Sequence, residues 1–283
     1  SIIQYKSFDI SALIVVTAAY LFTAAVILKR NLNRLLHENF RGAHGICILI
    51  TTIILLVGPI FIFTFPDILY LGYFSPNPFH SPTLIVAKLF ALILFYLLID
   101  NFEKKPNLKT ILLMVGVTVL ATAAKPNFTM TLLPSVFLVI VLFYIKKLPR
   151  VNWWLVIVGF GITAVITLGL QFLITYTESS GVDKIILDPF GVMLLYSPNL
   201  LIVFVKIIFS VVFPLYITFY YRQTHSKELP FKLAWINFIM GTFTAILFAE
   251  SKGFADANFF WGPIIGVFIL FAVSVSIYLP DLI

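Results

Sequence analysis

The chain has 283 residues, of which 61% are hydrophobic and 11% are charged, whereas an ordinary soluble domain carries about 25% charged residues. No water-soluble core can hide so much apolar surface, so the composition excludes a soluble globular protein and indicates a membrane protein. The formal net charge of +7 does not indicate a nucleic-acid partner, because the basic residues lie in short clusters between apolar runs rather than on one helical face.

Metal chemistry is not indicated either. The single cysteine, Cys47, lies within an apolar run, so the sequence predicts no intramolecular disulfide and no Cys-based metal site. The histidines show no metal-ligand spacing such as HExxH. The sequence therefore predicts no bound metal and identifies no cofactor.

Apolar windows recur along the whole chain, and a span across a ~30 Å hydrocarbon layer needs roughly 20 such residues. They lie at 10–28, 45–65, 82–100, 109–124, 128–145, 152–175, 198–219, 233–249 and 263–279. The pattern predicts an all-α polytopic bundle of nine transmembrane spans that forms one integral membrane domain over residues 1–283. Because no basic region with a cleavage site precedes it, the first window is expected to be a mature span, in a chain that begins partway into a longer protein.

The connections between the windows alternate in character. Most of the 19 lysines and arginines lie in the connections 29–44, 101–109, 146–150 and 220–232. Basic loops are retained in the cytoplasm, so we expect the N-terminus outside and the C-terminus in the cytoplasm. The outer connections are then 66–81, 125–127, 176–197 and 250–262. They are chemically more varied than the inner ones, so we expect the functional site at the outer face.

Two predicted spans open alike and carry an internal lysine. The stretches are "SPTLIVAK" at 81–88 and "SPNLLIVFVK" at 197–206, each expected to begin with Ser at the N-cap and Pro at the first helical position. Lys88 and Lys206 then lie roughly 10 and 13 Å below the outer end. Burying an ammonium at that depth costs at least roughly 2.5 kcal/mol. Either the side chains snorkel to the headgroups, or they face the interior of the bundle and hold an anion.

A third lysine lies in "LATAAKPNFTMTLLP", residues 120–134. The apolar run before Lys125 is only about 15 residues, roughly 23 Å of helix and shorter than the hydrocarbon layer. Pro126 disfavours the helical conformation at Lys125 and predicts a break there. The turn is therefore expected to lie below the headgroups beside a cavity, unless it is an ordinary tight turn with an interfacial lysine.

Candidate acid–base groups lie in two outer connections. Glu250 and Asp256 belong to "AESKGFADANFFWGP", residues 249–263, and are either solvated interfacial charges or acids near the lysines. His80 lies in "SPNPFHSP", residues 75–82, just before the predicted N-cap Ser81, where positive backbone charge favours an anion. Its imidazole is suited to phosphate binding, acceptor binding or proton transfer, or simply to a hydrogen bond within its own loop.

Three outer-face stretches carry a resemblance to a known group of proteins. They are "LYLGYFSPNPFHSPTLIVAKLFALILF", "AAKPNFTMTLLPS" and "AESKGFADANFFWG". The chain resembles bacterial multi-pass membrane proteins that are in turn loosely similar to the GT-C superfamily of polyprenyl-phosphate-sugar-dependent glycosyltransferases. The resemblance implies a transferase of the cell envelope, located in the bacterial inner (plasma) membrane.

The resemblance also implies a site. A polyprenyl-phosphate-linked sugar would reach it sideways from the bilayer, and its phosphate would be neutralised by Lys88, Lys125 and Lys206. Glu250 or Asp256 would act as acid or base, and His80 would position a substrate. The partners expected are thus the lipid bilayer and a lipid-linked sugar.

One feature of the superfamily is not found within residues 1–283. Its catalytic acid usually lies in a large outer loop after the first span. Here that loop is either missing or lies upstream of Ser1, and Asp9 is a marginal candidate. Two alternatives therefore stay open: a transporter or flippase of anionic lipid-linked glycans, and a non-catalytic membrane subunit. Transporters commonly show internal repeats, and the absence of a visible repeat favours the enzyme.

Overall fold

In the computed structural model the chain is helical over most of its length, and the structure describes residues 2–36, 42–63, 69–71, 73–78, 81–177, 184–221 and 228–282. The helices are α1 (Ile2–Leu36), α2 (Ala43–Leu56), α3 (Pro82–Asn101), α4 (Leu108–Ala124), α5 (Pro126–Val139), α6 (Thr163–Thr177), α7 (Gly191–Leu195), α8 (Leu200–Ser210), α9 (Val212–Tyr220), α10 (Leu229–Leu247) and α11 (Trp261–Tyr278). Between them lie π-helical turns at Ile140–Tyr144 and Trp154–Ile162 and 3₁₀ turns at Ile145–Arg150, Phe254–Asp256, Asn258–Phe260 and Leu279–Leu282.

Two small antiparallel strand pairs accompany the helices. β1 (Ile60–Phe61) pairs with β2 (Leu69–Tyr70), and β3 (Ile185–Leu187) pairs with β4 (Phe248–Glu250). The second pair joins the predicted outer connection 176–197 to the end of the predicted span 233–249 and to Glu250, the first residue of the next outer connection.

Six helical stretches among the described residues are long and apolar enough to cross a membrane. They are Ile10–Leu35, Pro82–Asn101, Pro126–Arg150, Trp154–Tyr176, Leu229–Leu247 and Phe254–Tyr278. A seventh is obtained if α8 and α9, which are bent by 62°, form one span. The remaining two predicted windows correspond to the shorter apolar helices α2 and α4. The all-α membrane bundle is thus confirmed, whereas the count of nine spans and the orientation in the membrane stay predictions.

The second predicted span is shorter than its apolar window. The window runs over 45–65, but α2 ends at Leu56. The dipeptide of Gly58 and Pro59 follows within three residues; proline lacks a backbone donor and disfavours the helical region for the residue before it. The chain therefore turns into β1, although the side chains stay apolar.

The shared Ser-Pro openings behave differently in the two spans. Pro82 is the first residue of α3 and Ser81 its N-cap, as predicted, although the Ser81 side chain makes no capping hydrogen bond. The prediction for Ser197 is wrong. Asn199 is the N-cap of α8 instead, and its side-chain oxygen accepts from the Ile202 backbone N–H at 3.0 Å. Asn and Ser are about equally favoured at the N-cap, so the sequence alone does not distinguish Ser197 from Asn199 as the start of the helix.

α11 is the central helix of the bundle. In the span Phe254–Tyr278, which contains α11, 89% of the residues in the apolar window are buried inside the structure. The corresponding fraction for the span Ile10–Leu35 in α1 is 17%. α10 packs closely against α11 through small residues, as membrane helices commonly do. A Cβ atom at Gly241 would lie 2.7 Å from the backbone nitrogen of Pro263, so only glycine permits this approach.

Ion pairs join the connections that the sequence assigns to the cytoplasmic face. The guanidinium Nη1 of Arg30 donates to both carboxylate oxygens of Asp100 at 2.8 and 2.9 Å. Arg34 Nη2 lies 3.4 Å from Glu228 Oε1. These pairs tie the end of α1 to the end of α3 and to the start of α10, so described residues at three of the four predicted inner connections lie together.

Candidate functional site

A cavity of about 590 Å³ lies where α5 begins, α6 ends and β4 leads into α11. Its polar lining residues are Lys125, Asn127, Gln171, Thr175, Tyr176, Glu250 and Asn258. Its apolar lining includes Met130, Leu168, Phe172, Phe259 and Trp261. Small-molecule sites typically have about 300–1,000 Å³, mostly apolar walls and a few polar groups. We refer to this space as the polar cavity.

Lys125 is placed in the polar cavity by the break between α4 and α5. Its backbone is extended, with φ −163° and ψ 112°, between Ala124 and Pro126, which confirms the break predicted from the proline. The Nζ atom lies 3.9 Å from the ring centroid of Trp261, within cation–π distance. Burial lowers the pKa of the Lys125 ammonium to about 8.

Glu250 is held in the polar cavity by two neutral donors. It is the last residue of β4, where it pairs with Ile185 of β3. The Tyr176 hydroxyl donates to its Oε1 at 2.7 Å, and the Asn258 side-chain amide donates to its Oε2 at 2.5 Å. Each carboxylate oxygen has a second lone pair, so Glu250 is fixed in position and still able to accept from a ligand.

Lys125 and Glu250 therefore line one cavity with opposite charges. Among the described side chains, no ion pair joins the two groups. The walls that carry them are connected, since the Asn127 amide donates to the backbone oxygen of Asn258 at 2.9 Å. A ligand with an anionic group and a hydroxyl or amine matches this arrangement, because the ammonium attracts the anion and the carboxylate accepts the hydrogen bond or the proton.

Lys88 lies elsewhere, in the interior of the bundle. Only 6% of its surface is exposed, so it does not snorkel to the headgroups. Its ammonium donates to the backbone oxygen of Pro76 and, at 2.9 Å, to Asn77 Oδ1, and it lies 4.8 Å from the Phe268 ring centroid. The two hydrogen-bond partners, Pro76 and Asn77, belong to the non-helical segment 73–78, most of which is buried. Irregular backbone at membrane depth needs such internal partners, so Lys88 stabilises this segment.

Lys206 contacts the other side of the same region. Its ammonium donates to the backbone oxygen of Tyr196 at 3.0 Å and to Ser197 Oγ at 3.1 Å. It also lies 5.8 Å from the ring centroid of Tyr73, the first residue of segment 73–78. Neither Lys206 nor Lys88 lines the polar cavity. The three lysines expected to bind one phosphate are thus divided, and only Lys125 faces this space.

The remaining predicted site residues do not join Lys125 and Glu250 in the described structure. Asp256 is exposed in its 3₁₀ turn and does not line the polar cavity. His80 and the side chain of Asp9 lie outside the described residues. Sequence reasoning missed Tyr176, whose hydroxyl reaches Glu250 across 74 residues of chain; no local pattern signals that contact.

Comparison with known proteins adds no functional assignment. No protein-family model matches the chain, and neither the curated proteins nor the solved structures contain a significant match. Within the described part of the chain, no group of three or more His, Cys, Asp or Glu residues is arranged to hold a metal ion. The polar cavity is therefore the feature of the molecule that bears most on its function.

Proposed function

We propose that the protein is a glycosyltransferase-like membrane protein that transfers a sugar from a polyprenyl-phosphate-linked donor to an acceptor at the outer face of the membrane. The observation that supports this most is that Lys125 and Glu250 line one ligand-sized cavity without pairing with each other. The cation suits the phosphate of the donor, and the carboxylate suits the hydroxyl of the acceptor.

In the proposed reaction Glu250 takes the proton of the acceptor hydroxyl as its oxygen attacks the anomeric carbon of the sugar. The new carbon–oxygen bond forms while the bond from the anomeric carbon to the phosphate oxygen breaks. Polyprenyl phosphate leaves with the electron pair, and the Lys125 ammonium stabilises the charge that develops on it. Tyr176 and Asn258 keep the carboxylate oriented through their hydrogen bonds.

Lys88 and Lys206 receive a different role from the one the sequence suggested. Both amines already have oxygen partners in or next to segment 73–78. In the proposed function Lys88 and Lys206 stabilise the fold of the bundle around the polar cavity, and Lys125 binds the phosphate.

The test uses the purified chain in phospholipid vesicles, with a tritiated polyprenyl-phosphate hexose as donor and a panel of sugar acceptors. Lys125→Ala and Glu250→Gln should each lower transfer by roughly 100-fold or more, as loss of a stabilising or proton-accepting group commonly does. Asp256→Asn is the matched control, because it removes an exposed carboxylate of the same connection that does not line the cavity. Equal losses in all three variants, or none in Lys125→Ala, would contradict the proposal.

A transporter or flippase of anionic lipid-linked glycans is the second candidate. It is favoured by the 62° bend between α8 and α9, since broken helices are common at transporter binding sites. The same vesicles distinguish the two functions. Movement of a fluorescent lipid-linked sugar between leaflets without any transfer product would indicate the transporter, and neither activity would indicate a non-catalytic subunit.

A further inference from the structure

A second space, with an almost entirely apolar lining, lies beside the polar cavity. It is a groove of about 420 Å³. One wall is α5 with the π-helical turn that follows it, and the other is the π-helical turn Trp154–Ile162 with α6. We refer to it as the α5–α6 groove. Its walls include Leu133, Phe137 and Ile140 on one side and Phe160, Gly161 and Val165 on the other. Because these side chains offer no polar atom, the matching ligand is a hydrocarbon chain.

The groove begins where the polar cavity ends, along both of its walls. On α5, Met130 lines the cavity and Leu133 lines the groove; on α6, Leu168 lines the cavity and Val165 lines the groove. Each step is three residues, or about 4.5 Å of helix rise. The two spaces therefore follow one another along the same pair of helices, with charge at one end and hydrocarbon at the other.

The groove is about two-thirds as long as one leaflet is thick. From Leu133 to Ile140 the seven-residue helical rise is about 10 Å, whereas half of the ~30 Å hydrocarbon core of a bilayer is about 15 Å. A lipid whose headgroup lies in the polar cavity can therefore place part of one chain in the groove.

The groove is closed at the back and open toward the perimeter. Behind it, α4 packs closely on the π-helical turn: a Cβ at Gly159 would lie 3.0 Å from Met114 Cγ, and Thr118 Oγ1 donates to the Gly159 backbone oxygen at 3.5 Å. At the front, Phe137 and Val165 are 65% and 59% exposed. π-Helical turns occur frequently at functional sites, and here one forms a wall of the groove.

We propose that the polar cavity and the α5–α6 groove together hold one membrane lipid, with its phosphate at Lys125 and about 10 Å of its chain between α5 and α6. The occupant is an anionic, long-chain lipid rather than a free anion, because Lys125 is charged and the polar cavity that it lines continues into the apolar groove. The inference deepens the proposed function by placing the chain of the donor. It requires only binding, not sugar transfer.

The first test needs no variant. A dodecyl phosphate with a photoreactive diazirine at the end of its chain is added to the purified protein in vesicles, and the cross-linked peptides are identified by mass spectrometry. The proposal expects cross-links concentrated in 133–140 and 153–166. Cross-links spread evenly over the lipid-exposed helices would overturn it, because they would show an ordinary annular lipid.

A pair of variants then tests the groove itself. Val165→Trp places a large ring at the end of the groove next to the polar cavity, whereas Ile174→Trp places the same ring on α6 at a side chain that lines neither space. The two positions are 59% and 60% exposed, so both variants should fold alike. Cross-linking should fall by roughly tenfold in Val165→Trp and stay within about twofold in Ile174→Trp, a difference of about 1.4 kcal/mol in binding. Equal cross-linking in the two variants would contradict the proposal.

Two further measurements, competition of the cross-link by inorganic phosphate and the rate of sugar transfer in each variant, distinguish the remaining outcomes. If millimolar inorganic phosphate competes away the cross-link and Val165→Trp does not, the site is one for a free anion and the inference fails. If the lipid occupies the groove but no variant transfers sugar, the inference stands and the proposed transferase fails. If transfer persists at full rate in Val165→Trp, the transferase stands and the inferred place of the chain is wrong.

Discussion

Replacing Asn77 by alanine is expected to destabilise the bundle by about 4 kcal/mol, because this buried side chain makes three hydrogen bonds at once. Its amide donates to the backbone oxygens of Ile54 and Val57 at 2.7 and 2.9 Å, and its oxygen accepts from the Lys88 ammonium at 2.9 Å. Each neutral bond contributes about 1 kcal/mol and the charged one about 1.5–3 kcal/mol. Alanine leaves two carbonyl groups buried without that donor.

The assay is the unfolding of the full chain in mixed micelles, titrated with sodium dodecyl sulfate and followed by far-ultraviolet circular dichroism. Asn107→Ala is the matched control, because the Asn107 side chain makes a single exposed capping bond to the Lys109 backbone N–H. That cap is worth about 1 kcal/mol. If Asn77→Ala costs no more than Asn107→Ala, the segment 73–78 is not held by this network, and the role given to Lys88 is wrong.

Three further outcomes follow from the structure. Binding of dodecyl phosphate, measured by cross-linking, should fall as pH rises through about 8. Burial lowers the pKa of the Lys125 ammonium to about 8, and the neutral amine no longer attracts the anion. In Lys125→Arg binding should persist to higher pH, because arginine stays charged. Tyr176→Phe removes a hydrogen-bond donor to Glu250, so the transfer rate should fall roughly five- to tenfold while lipid cross-linking is unchanged. Weaker cross-linking would show that Tyr176 contributes to lipid binding instead. Gly241→Ala should destabilise the bundle by about 1–3 kcal/mol through overpacking. Gly45→Ala should not, because no atom lies within 4 Å of the position of its Cβ. Equal unfolding midpoints for the two variants would refute the close approach of α10 to α11.

The sequence predicted the helical architecture well, because hydropathy and proline positions act locally. The start of α3 at Pro82 and the break at Lys125 follow from backbone restrictions that any proline imposes. The end of α2 at Leu56 was missed, because an apolar window does not distinguish a helix from extended chain of the same composition.

The candidate site was predicted only in part. The lysines were recognised as costly at membrane depth, but hydropathy does not show which oxygen offsets that cost. For Lys88 the partners are Pro76 and Asn77 in an irregular segment. For Glu250 a donor is Tyr176, far away in the chain. Such contacts form when helices pack, so they lie beyond the reach of local sequence patterns.

The buried segment 73–78 also constrains how the protein assembles. Asn77 is held from α2 on one side and from Lys88 in α3 on the other. Without both helices the polar groups of this segment lack these partners, and irregular backbone is tolerated inside a bilayer only where protein or water surrounds it. Burial of segment 73–78 therefore depends on α2 and α3 both being in place.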